Sequence, residues 1–244
     1  MASLLARSLQ RFARVEAREV SALLWAFSYF FALLCSYYIV RPMRDEMGVA
    51  GGVDNLQWLF TGTFAAMLAA VPLFGWVSSR YARRRFVPLV YYFFIANLLL
   101  FFVLFRSDLT HAWIARAFFI WASVFNLFVV SVFWSFMADI YTREQGRRLF
   151  GLITSGGSVG ALIGGIATST LVTKIGFQNL LPISAAVLLA AVFCIGRLKD
   201  WVHHEHESEI DGTVESKKPL GGSALAGITH LMSSKYFLAI ALLS

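Results

Sequence analysis

Charge is what this sequence has least of. Asp, Glu, Lys and Arg make up only 14% of its 244 residues, against about 25% in soluble domains. Hydrophobic residues account for 58%, and mean hydropathy is +0.68. A chain this apolar has too little polar surface to clothe itself in water, so its solvent is lipid. Cysteine is scarce as well. Cys35 and Cys194 each fall inside an apolar run and read as small core residues, not as a disulfide or a metal pair. No GxxxxGK[ST] loop is present, which argues against a self-contained nucleotide-driven pump. No nucleophile–base pair or metal constellation stands out, so neither enzyme chemistry nor a cofactor is expected. The HHEHE tract places His203, His204 and His206 too close in sequence for a formed site. It reads as a solvated charge run, and no metal is expected. No Asp or Glu lies deep in any apolar run, so this segment offers no buried carboxylate relay.

Long apolar runs are what the chain does have. A bilayer core of about 30 Å takes roughly 20 apolar residues in a helix. Stretches at about 20–40, 56–77, 86–105, 113–137, 149–172 and 180–195 meet that length or approach it. The last is the shortest and would need Trp201 or a thinner bilayer to span. The first is too long for a cleaved signal peptide and has no small-residue cleavage site after it. The fold class expected is all-α: a polytopic bundle of six transmembrane helices over residues 20–195.

Lys and Arg then give the sidedness. One side collects Arg7, Arg11, Arg14 and Arg18 before the first span, and Arg80, Arg83, Arg84 and Arg85 after the second. To it also belong Arg143, Arg147 and Arg148 after the fourth span, and the basic residues from Arg197 onward. The other side holds only Arg41, Arg44, Arg106, Arg116 and Lys174. Positive charge stays cytoplasmic, so the N-terminus is expected inside, with the chain multi-pass in a cell inner (plasma) membrane. The net charge of +7 then reflects basic cytoplasmic loops facing membrane lipid, and no nucleic-acid partner is expected. Residues 1–19 put their arginines on one helical face and Leu5, Leu9 and Phe12 on another. This is either an interfacial amphipathic helix or a solvated basic leader that enforces topology. Residues 196–234 are polar and read as a cytoplasmic linker. Residues 235–244 open another apolar run, expected to be the start of a truncated seventh helix, the rest of the chain being missing.

Six spans, a polar linker and a seventh apolar run resemble the layout of the major facilitator superfamily. The stretch GWVSSRYARRRF sharpens the likeness. The family carries Gly-x-Leu-Ala-Asp-Arg-x-Gly-Arg-Arg between its second and third helices, and Gly75, Arg80, Arg83 and Arg84 stand at the matching places. Ser79 replaces the acid and Ala82 the second glycine. Asp139 ends the fourth span, and a pair between it and Arg80 or Arg84 would form an inner latch. The bland alternative is a screened surface pair worth about 0–1 kcal/mol. Two further stretches, SYYIVRPMRDEMG and TREQGRRLFGLITSGGSVGALIGG, resemble bacterial members of the ATP/ADP translocase group. In that group a basic residue followed by an acid near the end of the first helix helps engage phosphate. Arg44 and Asp45 stand at that place, with arginine where lysine is usual.

The resemblance implies secondary transport by alternating access, with helices one and four lining a central cavity. Tyr29, Tyr37, Asn126 and Trp134 are the lining candidates, with Arg41 and Arg44 near the outer helix ends, where their forks suit an anionic solute. For each, helix–helix bonding, an interfacial belt or headgroup anchoring is the competing reading. Gly156, Gly160 and Gly164, four apart, form a stripe suited to close helix packing or to sliding. Three functions stay in play: transport of a small solute, nucleotide exchange as its narrower form, and a membrane sensor or scaffold that keeps the fold without moving solute.

Overall fold

The computed structural model describes residues 16, 19–50, 56–80, 83–107 and 111–209. Every element among them is helical. In hydrocarbon each backbone N–H and C=O has to be satisfied within its own segment, which an uninterrupted apolar helix achieves. The helices are α1 (Glu19–Ala50), α2 (Leu56–Arg80), α3 (Arg83–Phe105), α4 (His111–Ile140), α5 (Arg143–Ile175) and α6 (Leu180–Glu209). All six are long and apolar enough to cross a membrane. Short connections make successive helices antiparallel, so α1, α3 and α5 run one way and α2, α4 and α6 the other.

The helix α1 is the hub. It packs against α5, α6 and α4, while α3 closes on α6 and α4, and α2 rests chiefly on α4. Burial follows this order: 61% of the apolar window of α1 is buried, against 6% for α2. Trp58, Phe64, Leu68 and Leu73 of α2 accordingly face outward. Polar bonds stitch the hub to its neighbours. The Tyr29 hydroxyl meets that of Tyr91 on α3, and Tyr91 also donates to the Val129 carbonyl of α4 at 3.3 Å. The Ser184 hydroxyl of α6 donates to the Ser36 carbonyl at 2.9 Å, with the two hydroxyls 2.8 Å apart. Thr168 of α5 donates to the Ile39 carbonyl at 3.3 Å. Such bonds replace the hydrophobic drive that helices in lipid lack among themselves.

The sixth span does not stop near 195. Residues 196–209, read from sequence as the start of the linker, continue α6. Leu198 is fully buried, and the Trp201 ring lies 6.5 Å from that of Tyr141. These two anchors extend the apolar stripe to a 22-residue span, Leu180–Trp201. Most of the basic leader, the linker from 210 to 234 and the apolar run 235–244 lie outside the described residues.

Candidate functional site

Along α1, Leu34, Tyr37, Tyr38, Arg41 and Arg44 recur at three- and four-residue intervals and so share one face. Together with Asn126 of α4 they line a cavity of about 320 Å³. The rise of α1 puts Leu34 about 22 Å, and Arg44 about 37 Å, from Glu19 along the helix axis. Asn126 sits halfway along the 30-residue α4. The cavity therefore runs from mid-depth toward the end of the bundle remote from Glu19.

Its lining is cationic at the rim and polar–aromatic inside. Arg41 donates to the Tyr38 hydroxyl at 3.3 Å and lies 5.4 Å from the centroid of that ring. Arg44 turns its fork onto Asp45, donating from Nε at 3.0 Å and Nη2 at 2.7 Å to one carboxylate oxygen. Its guanidinium also lies 5.4 Å from the Phe119 ring centroid. The Tyr37 ring packs against Phe125, 6.3 Å between centroids. The Asn126 amide has no hydrogen-bond partner among the described residues. Arg41 and Arg44 line the cavity while the neighbouring acids Asp45 and Glu46 do not, so the lining itself is net positive, and the uncommitted polar atoms below it are available to a solute.

Of the candidates read from sequence, Tyr37, Arg41, Arg44 and Asn126 come together at this cavity. Tyr29 and Trp134 lie elsewhere. Tyr29 is fully buried, sealed by Tyr91 and stacked edge-on to Phe133 at 4.9 Å. Trp134 is half-buried between the Phe30, Phe133 and Phe150 rings, which fasten α4 to α1 and α5. Arg80 is exposed at the end of α2 and Asp139 near the end of α4, and since these helices run in parallel both sit at the Glu19 end. Gly75 is half-buried in α2. Arg83 and Arg84 begin α3, their side chains lying outside the described residues.

The glycine stripe faces α1 directly. A Cβ at Gly156 would come within 2.6 Å of the Phe27 carbonyl oxygen, and one at Gly164 equally close to that of Cys35. A Cβ at Gly160 would overlap the Phe31 carbonyl. Three successive turns of α5 thus press backbone to backbone on three turns of α1. Gly165, one residue along, has nothing within 4 Å of such a Cβ.

One cluster was not foreseen. Glu19, 1% exposed, accepts from Arg148 Nη2 at 2.9 Å, from Gln145 Nε2 at 3.1 Å and from the Glu16 amide at 3.1 Å. It fastens the start of α1 to the start of α5. The local signal was present in the sequence: Thr142-x-x-Gln145 is a capping box, and its reciprocal bonds form. Which acid it would meet was not. Beside this cluster the Tyr141 hydroxyl is buried with no hydrogen-bond partner among the described residues. Burial, reinforced by the charge of Glu19, pushes its phenol up. No group of three or more His, Cys, Asp or Glu able to hold a metal occurs among the described residues.

The sequence profile of the Major Facilitator Superfamily matches residues 20–244. No curated protein and no solved structure matches the chain. The profile covers all six helices, and the folded helices have the length and apolarity that membrane crossing requires. The chain belongs to the Major Facilitator Superfamily and is a multi-pass membrane transport protein.

Proposed function

We propose that the chain carries the N-terminal half of a secondary transporter for a small anionic solute, held between α1 and α4 and exposed to each side in turn. The observation that carries this reading is the cavity itself. Arg41 and Arg44 sit at its rim and Tyr37, Tyr38 and Asn126 inside, reaching the middle of the bundle. Arginine forks match carboxylate and phosphate geometry, and a site near mid-depth is what rocking of one bundle against another needs. The remaining lining comes from a second bundle, the C-terminal half expected from the family layout. The solute's own gradient or a coupled ion drives net flux. Arginine asymmetry supports a cytoplasmic Glu19 end with the cavity mouth outside, the proposed location being a cell inner membrane. At the inner end, Arg80 or Arg84 pairs with Asp139 as a latch that favours the outward-open state.

Nucleotide exchange is the narrower second reading. Its support is Arg44, which lines the cavity and is paired with the acid that follows it, Asp45, as a basic residue followed by an acid would meet phosphate. Counterflow decides among the readings. Proteoliposomes of the full-length transporter are loaded with phosphate, a dicarboxylate or a nucleoside diphosphate and challenged with each in labelled form. Saturable counterflow of one anion, reduced at least tenfold by Arg41→Gln or Arg44→Gln, supports the transport reading. Binding without flux would favour a sensor and overturn it.

A further inference from the structure

Arg197 on α6 is an exposed cation lodged against aromatic rings. Its guanidinium lies 5.2 Å from the Phe193 ring centroid and 5.9 Å from that of Trp25 on α1. The two rings meet edge to face, 5.9 Å apart at 74°. Aromatic contacts from two different helices therefore hold one planar cation. Arg106, by contrast, rests on a single ring of its own helix, Phe102. Among the described residues no carboxylate pairs with Arg197, although Asp200 lies one turn further along the helix. Leu189, Phe193 and Arg197 recur every four residues. Leu189 and Phe193 are 50% and 58% exposed, and Leu24 beside Trp25 on α1 is 50% exposed. An apolar lane thus leads straight to the cation.

Depth fits the same picture. Arg197 lies one turn before Trp201, where the apolar span ends. Trp25 is about 9 Å along α1 from Glu19. The guanidinium thus stands near the boundary between hydrocarbon and headgroups. A cation there is costly unless a counter-charge reaches it. A cation–π contact does not consume the guanidinium N–H donors, and a guanidinium can receive a phosphate bidentately through them.

We infer that Trp25, Phe193 and Arg197 form a binding site for the phosphate of an anionic phospholipid, whose acyl chain lies along Leu24, Leu189 and Phe193. The occupant is a lipid and not a free anion, because the lane running away from the cation is apolar and open.

The test uses the full-length protein, delipidated in neutral detergent and titrated with phosphatidylglycerol, phosphatidylcholine or inorganic phosphate. Bound lipid is counted by native mass spectrometry, and thermal stability is read in parallel. Phosphatidylglycerol should bind saturably and raise the unfolding temperature, whereas phosphatidylcholine and inorganic phosphate should not. Arg197→Gln should weaken the tightest phosphatidylglycerol site about fivefold. Its stability in phosphatidylcholine should be unchanged. Arg197→Lys keeps the charge but loses the stacked fork, and Trp25→Leu loses one ring; both should fall in between. Equal phosphatidylglycerol affinity in Arg197→Gln and the parent, or an equal stabilisation by inorganic phosphate, would overturn the proposal.

Discussion

The fastening of α1 to α5 makes an asymmetric demand on its two charges. Glu19 is 1% exposed and Arg148 is 29% exposed in the same ion pair. Removing the arginine strands a buried carboxylate, and breaking a buried pair in this way costs about 3–5 kcal/mol. The donors that remain, Gln145 and the Glu16 amide, hold Arg148→Gln near the lower end, at about 3 kcal/mol. Glu19→Gln keeps the side-chain shape and leaves a cation that reaches solvent, so it should cost only about 1 kcal/mol. The double variant removes both charges and should cost about 1–2 kcal/mol, well short of the sum. At roughly 2–4 °C per kcal/mol for a chain of this size, Arg148→Gln should lower the unfolding temperature by about 6–12 °C. The assay is thermal unfolding of purified protein in detergent, followed by intrinsic tryptophan fluorescence. Equal losses from the two single variants, or full additivity in the double, would refute the claim that a buried carboxylate is being neutralised.

Four further outcomes follow from the same geometry. Gly160→Ala should destabilise by about 1–3 kcal/mol, seen as lost monodisperse yield on size exclusion, while Gly165→Ala should be nearly neutral because nothing stands within 4 Å of its Cβ. Asn126→Leu should leave thermal stability within about 0.5 kcal/mol but depress counterflow, since it fills the cavity with an apolar group; intact flux would remove Asn126 from the site. Swapping the charges of Arg80 and Asp139 singly should impair transport, and the double swap should restore part of it if they form a latch; strictly additive defects would show that they do not. Single cysteines at Arg84 and Asp108 should label from opposite sides of the membrane, and labelling from one side would break the six-span topology.

The sequence by itself determined the solvent and the segmentation. Apolar runs of spanning length admit one satisfactory backbone in lipid, and the arginines of GWVSSRYARRRF cannot enter hydrocarbon. The capping box at Thr142 and the spacing of Gly156, Gly160 and Gly164 were legible too, because both are local rules. Tertiary structure decided everything that depends on a neighbour distant in sequence. Tyr29 and Tyr37 are chemically alike and two turns apart on one helix; only the first meets Tyr91, which seals it in the core, while the second opens onto the cavity. The glycine stripe could have faced lipid or any helix until the carbonyls of Phe27, Phe31 and Cys35 were found against it. Glu19 has no role assigned from the sequence, and its fastening to a residue 129 positions away lies in no local pattern. Periodicity fixes which residues share a face. The partner of that face is set by how six helices share one buried volume, and that choice belongs to the whole bundle.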